Sequence, residues 1–212
     1  MKRKIPCFCE NTFEVEAPEE INLDAEPDYL DEILKGSFLN FTCPNCGKKH
    51  KPEFPISVLW TSKKLCFEVL PELDRGVFYR RKKRSGWKGP ETLETIIGYP
   101  EMADRLSVIR DNYEPIAVEA IKYYLCLKAE EQYPEGKTEI WYYGTSGSGE
   151  CSSLEFHIHG IKENKAAVVK VPLSVYEKTL GDYKKHPKSE IFIALKVKSY
   201  LSVKNTMRNE IK

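Results

Sequence analysis

Apolar and polar residues alternate singly at the end of KIPCFCENTFEVE (4–16), where Phe13 and Val15 interleave with Glu14 and Glu16. A period of two puts the apolar pair on one face of a half-buried strand, and Glu10 and Asn11 mark a turn. The stretch predicts a hairpin with Cys7 and Cys9 at its tip. Residues 26–35, EPDYLDEILK, switch to helical spacing. Pro27 suits a helix start, Tyr29, Leu30, Ile33 and Leu34 share one face, and Gly36 suits a stop. SFLNFT (37–42) and HKPEFPISVLW (50–60) read as strands flanking a second cysteine pair, with Pro52 and Pro55 confining the return strand to an edge or a bulge.

KLCFEVL (64–70) and GVFYRRKK (76–83) read as a further strand pair around a turn at Pro71 to Asp74. The period then lengthens. Met102, Leu106 and Ile109 predict a helix, and after Pro115 the residues Ile116, Ala117, Ala120, Ile121, Tyr124 and Leu125 form the apolar stripe of a second. TEIWYYG (138–144), SLEFHIHGI (153–161) and KAAVVKVPL (165–173) return to strand patterning, with KENK turning between the last two. LSVYEKTLGDYKKH (173–186) reads as a short helix interrupted by Gly181, and EIFIALKVKSYLSV (190–203) fits strand or helix. The pattern predicts an α+β fold. An N-terminal four-cysteine zinc ribbon with a short helical insertion fills residues 1–72. A mixed strand and helix region fills 73–212, with helices at about 100–133 and an antiparallel sheet at about 138–172.

With 212 residues, 41% of them apolar and 31% charged, the chain suits a globular protein with a real core. Its 33 basic and 32 acidic side chains leave a formal charge of +1, so attraction to nucleic acid requires a local patch. The opening MKRKIPCFCE lacks the apolar stretch of a signal peptide, and no run approaches the roughly eighteen apolar residues of a membrane span. The seven cysteines include two close pairs. A reducing cytoplasm with no membrane partner is the expected setting, with the pairs as metal ligands.

Cys7 and Cys9 form Cys-Phe-Cys, and Cys43 and Cys46 form Cys-Pro-Asn-Cys followed by Gly47. Zinc closes its structural sites with four protein ligands, and two knuckles on two hairpins supply four. Pro44 presets a turn and Gly47 admits positive φ, which lets backbone N–H groups point at sulfur. Lys2, Lys4, Lys48 and Lys49 offset the excess negative charge of a tetrathiolate. The segment from Cys9 to Cys43 exceeds the usual ribbon spacing, and the inserted helix accounts for its length. His50, three residues past Cys46, is an alternative ligand, and free or redox-active thiols are a further reading.

The segment from KIPCFCENTFEVE to LKGSFLNFTCPNCGKKHKPEFPISV resembles the CpXC family of functionally uncharacterised bacterial and archaeal proteins. The likeness is firm over about residues 3–70 and extends more weakly to about Tyr133. The resemblance implies that Cys7, Cys9, Cys43 and Cys46 are the family's cysteines and that the source is prokaryotic. It implies no reaction. A Cys-x-Cys followed about thirty residues later by Cys-x-x-Cys is also similar to the zinc-bound redox switch of an oxidation-activated holdase chaperone, which makes a redox-sensing zinc switch an alternative.

Three weaker signals have ordinary readings beside the functional ones. Arg80, Arg81, Lys82, Lys83 and Arg84, near Tyr79 and Trp87, suit nucleic-acid phosphate, although such a run more often caps a solvated hairpin. His157 and His159 share a strand face with Glu155, as a second metal site would begin, yet no third ligand is evident and polar residues on an open sheet face are preferred. GTSGSGE (144–150) lacks the Gly-Lys-Ser/Thr ending of a phosphate loop and reads as a connector. No catalytic set is legible. The expectation is a zinc-binding interaction or regulatory module that is not an enzyme, with a protein partner, and with nucleic acid as the alternative.

Overall fold

The computed structural model describes residues 1–81, 92–134, 138–162 and 165–210. The fold is α+β, and the chain divides into two compact units, Met1–Ala103 and Asp104–Lys212.

In the first unit, β1 (Lys2–Pro6) and β2 (Thr12–Glu16) form an antiparallel hairpin in register from Lys2 opposite Glu16 to Pro6 opposite Thr12. β3 (Glu20–Asn22) follows, then α1 (Asp28–Leu34). α1 buries Ile33, while Tyr29, Leu30 and Leu34 are half-buried. Gly36 ends it at φ +66, its N–H reaching the Ile33 carbonyl at 3.0 Å. Two short strands, β4 (Phe41–Thr42) and β5 (Lys49–His50), hold the second cysteine pair between them.

The return strand expected over 50–60 is broken in two. Residues 51–55 carry no strand, and β6 (Ile56–Trp60) joins a different sheet from β5. The two prolines explain the break, since each lacks a ladder donor. The backbone of Phe54 is satisfied instead by the Tyr99 hydroxyl, which accepts from Phe54 N at 3.1 Å and donates to Phe54 O at 3.0 Å.

β6 turns back into β7 (Leu65–Leu70) through Lys64 in the left-handed region, and β3 runs parallel to β6 with Ile21 opposite Val58. Of the strand expected at 76–83, residues 76–80 belong instead to a helix, α2 (Arg75–Arg80), and Lys82 and Lys83 lie outside the described residues. Arg75 donates to the Glu72 carboxylate, three residues back, at 2.7 Å and to Glu101 at 2.6 Å, and Phe78 turns inward. The turn at Glu72–Asp74 leads straight into α2, and within α2 only Phe78 is buried, so Val77, Phe78 and Tyr79 do not alternate across a sheet. The partner of β7 is β8 (Thr92–Ile97), which runs parallel to it, with Leu65 opposite Thr92 and Leu70 opposite Ile97. α3 (Tyr99–Arg110) follows, its first N–H held by the Glu53 carboxylate at 2.8 Å, and the division between the units falls inside it.

The second unit packs α4 (Pro115–Gln132) against one face of an antiparallel sheet. The sheet contains β9 (Glu139–Ser146), β10 (Ser153–Lys162) and β11 (Lys165–Pro172), with β10 central. Ile140, Tyr142, Leu154, Phe156 and Ile158 alternate into this core, as the period of two requires. α4 is not the single stripe expected. It is buried from Ile116 through Lys122, whereas Tyr124 is half exposed. α5 (Leu173–Lys185) runs unbroken through Gly181, then α6 (Glu190–Ala194) leads into a two-residue hairpin of β12 (Lys196–Val197) and β13 (Tyr200–Leu201). No described helix is long and apolar enough to cross a membrane.

Candidate metal centre

Two turns carry the four cysteines. In the first, Cys7 N–H donates to the Asn11 carbonyl at 2.8 Å and Glu10 N–H to the Cys7 carbonyl at 3.0 Å, with Glu10 at φ +65. In the second, Gly47 N–H reaches the Cys43 carbonyl at 2.9 Å and Cys43 N–H the Lys48 carbonyl at 2.9 Å. Gly47 sits at φ +71, the conformation its lack of a Cβ allows.

These turns bring the four sulfurs within 4.8 Å of one another, and none is in a disulfide. Two approaches cross between the turns, Cys7 to Cys46 at 3.5 Å and Cys9 to Cys43 at 3.7 Å. A tetrahedral ion with sulfur at about 2.3 Å places its ligands roughly 3.8 Å apart, so the donor set fits a structural zinc site in number, chemistry and spacing. Among the described residues this is the group of ligating side chains close enough to hold an ion.

The surroundings supply hydrogen bonds to sulfur. Asn45 donates its amide to Cys9 Sγ at 3.5 Å, and Asn11 donates to Cys43 Sγ at 3.8 Å. His50 stands beside the cluster, with Nε2 3.2 Å from Cys7 Sγ and its ring edge-on to Phe13. Burial pushes the Cys43 thiol up, but the backbone N–H groups of Cys46 and Asn45 and the Asn11 amide outweigh it and bring it down to about 6. The Asn45 amide, helped by backbone at Asn11, holds Cys9 below the ordinary thiol range. The Lys48 backbone N–H favours ionised Cys46, yet the sulfurs of Cys9 and Cys7, with burial, push it up to about 12. Four sulfurs this close cannot all ionise unaided, and a divalent cation removes that conflict.

The CpXC family profile matches residues 5–122, more than half of the chain, and spans all four cysteines. The chain belongs to the CpXC family. This CpXC protein is similar to an uncharacterized protein of Treponema pallidum (strain Nichols), 28% identical over 214 residues that cover 95% of this chain and 97% of the relative. No solved structure matches it significantly.

Other sequence candidates are placed as follows. Arg80 ends α2 and Arg81 follows it, both exposed, while Lys82, Lys83 and Arg84 lie outside the described residues. His157 and His159 face away from the core. His157 Nε2 is 3.2 Å from Glu155 Oε1, and its ring stacks on Tyr143 at 4.0 Å. Of residues 144–150, read as a connector, 144–146 continue β9 and the turn begins at Gly147, where a side chain would collide with the Cys151 carbonyl. Cys66 and Cys126 are buried and Cys151 is exposed.

Sequence reasoning missed two things. One is the pair of asparagine amides on sulfur, for which an Asn in or beside each cysteine pair was the available signal. The other is a buried ionic cluster of Asp104, Arg105, Glu119 and Lys122. Lys122 Nζ bridges the Asp104 carboxylate and, at 2.8 Å, Glu119. The remaining carboxylate oxygens accept from Tyr142 N at 2.5 Å and Val203 N at 2.7 Å.

Proposed function

We propose that this CpXC protein is a zinc-binding interaction or regulatory module whose Cys7, Cys9, Cys43 and Cys46 hold one structural zinc ion. The observation that carries the reading is the mutual 4.8 Å reach of the four sulfurs. Four cysteine ligands fill a tetrahedron and leave no position for an activated water, which separates a structural site from a hydrolytic one. What zinc supplies here is a fold constraint, joining β1–β2 to β4–β5 across a long intervening segment. Elemental analysis of the purified chain tests it: one zinc per chain is expected, and a metal-free, fully folded ribbon rejects it.

A redox-sensing switch is the second reading, favoured by the cross-turn sulfur distances. Peroxide oxidation would then join Cys7 to Cys46 and Cys9 to Cys43, each pair of thiolates giving two electrons while peroxide and two protons become two waters. Peptide mapping of the oxidised protein distinguishes these bridges from bonds within each pair. A nucleic-acid role through Arg80, Arg81, Lys82, Lys83 and Arg84 is tested by polynucleotide retention that falls steeply with salt.

A further inference from the structure

A metal-bound cysteine is a thiolate, and its reactivity depends on how open the sulfur is and how far hydrogen bonds have drawn off its charge. The four sulfurs of the cluster differ on both counts. Cys43 is 1% exposed and accepts from the Asn11 amide at 3.8 Å and from the backbone N–H groups of Cys46 and Asn45. Cys9 is half-buried and accepts from the Asn45 amide at 3.5 Å and from the backbone N–H of Asn11. Cys7 is buried, with His50 Nε2 3.2 Å from its sulfur. A thiolate can only accept, so beside an ionised Cys7 it is Nε2 that carries the proton. Cys46 is exposed, and among the described residues its sulfur takes the backbone N–H of Lys48 and no side-chain donor beyond the other sulfurs.

We propose that Cys46 is the modification site of this centre, the ligand at which a soft carbon electrophile of the activated-alkene class adds and through which the metal is released. The proposal rests on the structural-zinc reading, under which all four sulfurs are ionised. In the step, a lone pair of Cys46 Sγ bonds to the β-carbon of the alkene, the π pair moves to the α-carbon, and that carbon takes a proton from water, leaving hydroxide. The product is a thioether. It is neutral and no longer belongs to the thiolate, imidazole and carboxylate set that zinc prefers, so three good ligands remain where there were four.

The second turn explains why the asymmetry falls on this residue. Residues 44–49 are all exposed, so a reagent meets Cys46 at the surface, while Cys43 in the same turn lies beneath its own backbone. Asn45 sends its side-chain amide away to Cys9 and its N–H to Cys43, and so spares Cys46 both. Donors that stabilise a thiolate lower its nucleophilicity, and Cys46 has the fewest beside Cys7, which is buried. Cys151 is exposed as well, but it lies outside the cluster and its reaction frees no metal.

The test treats the whole chain, carrying Cys151→Ser to remove the other exposed thiol, with substoichiometric N-ethylmaleimide. Zinc content is measured first, peptide mapping then locates the adducts, and a zinc-sensitive dye follows metal release in the same sample. The first adduct is expected on Cys46, forming about tenfold or more faster than on Cys7, Cys9 or Cys43, with free metal appearing in step with it. Asn45→Ala strips Cys9 of its amide and should narrow the gap by raising the Cys9 rate. A first adduct on another cluster sulfur, adducts spread evenly over the four, no adduct at all, metal retained on the Cys46 adduct, or a Cys9 rate indifferent to Asn45→Ala overturns the proposal. A chain that holds no zinc overturns the metal reading, and the proposal with it. A zinc-replete chain that reacts first elsewhere leaves the metal reading standing and removes only the reactive ligand.

Discussion

Cys7 Sγ and Cys46 Sγ lie 3.5 Å apart although 39 positions separate them in sequence. Cys9 Sγ and Cys43 Sγ likewise meet across the two turns at 3.7 Å, so a cation shared by the four would span the segment that includes β2, β3 and α1. A link that closes so long a loop restricts the unfolded chain more than one within either turn. Replacing Cys43, the most buried of the four, should therefore cost both the metal and the long-range tie. Cys43→Ser is expected to abolish stoichiometric zinc binding in elemental analysis, while Cys151→Ser, which changes an exposed thiol outside the cluster, leaves it at one per chain.

The two asparagine amides predict a graded effect. Asn45 on Cys9 Sγ and Asn11 on Cys43 Sγ stabilise thiolate without ligating the ion. Asn45→Ala should leave stoichiometry at one but weaken zinc affinity by about 10- to 100-fold, the range for lost hydrogen bonds to metal ligands. Competition with a chromophoric chelator measures it, and an unchanged affinity would deny the amide its role.

Metal removal should act locally. The amides of Cys7, Glu10, Cys43 and Gly47 are bonded within the two turns, whereas β10 is paired on both edges and buries Leu154 and Phe156 fully. After complete chelation, hydrogen exchange should show the turn amides losing protection while the centre of β10 keeps it.

The parts that sequence made legible are those governed by a single local rule. Phe13 and Val15 announced a strand, Pro115 a helix start, and the cysteine spacings two turns that each present a pair of sulfurs, because each depends on near neighbours in sequence. The errors fall where a long-range contact overrode the local pattern. Arg75, its guanidinium on Glu72 and Glu101, opens a helix where alternation at Val77–Tyr79 suggested a strand. Glu119 and Lys122 fall outside the apolar stripe read for α4, and their contacts with Asp104 and Val203 reveal that side as buried too. The unequal standing of the four sulfurs was invisible for a related reason: exposure is a property of the folded turn, and each asparagine amide reaches a sulfur of the other turn.

The same substitution at two glycines should have opposite signs. Gly47 is at φ +71 with open space where a Cβ would point, so Gly47→Ala incurs only backbone strain, about 1–2 kcal/mol. Gly181 lies inside α5 with no neighbour near its Cβ position, and Gly181→Ala should stabilise by about 0.5–1 kcal/mol through helix propensity. Thermal melts of the two variants decide it. A stabilised Gly47→Ala protein would show that the second turn is not held in its left-handed conformation.

Lys122 yields the sharpest prediction, because its sign depends on pH. Burial alone would lower its pKa, but Asp104 and Glu119 outweigh that and raise it above the ordinary 10.5. A cation with a raised folded pKa contributes stability fully below its unfolded value and loses it as pH climbs through the folded one, so this contribution persists across neutral pH. Burial raises Glu119 too, yet Lys122 and Arg105 win and hold it low, so its contribution is present above about 4.5 and fades on acidification. Asp104 runs the other way: burial keeps it raised despite Lys122, and its protonation favours the fold as pH falls. Lys122→Met leaves both carboxylates buried, with Arg105 still 3.9 Å from Glu119 but Asp104 without its cation. The variant should lose about 3–5 kcal/mol at neutral pH, the cost of an uncompensated buried charge. Part of that should return as pH falls through the raised pKa of Asp104, and Asp104→Asn combined with Lys122→Met should return part of it at neutral pH. Denaturant melts of the two variants from neutral to acid pH measure this. A single-variant deficit that stays constant with pH would mean that lost packing, not stranded charge, accounts for it.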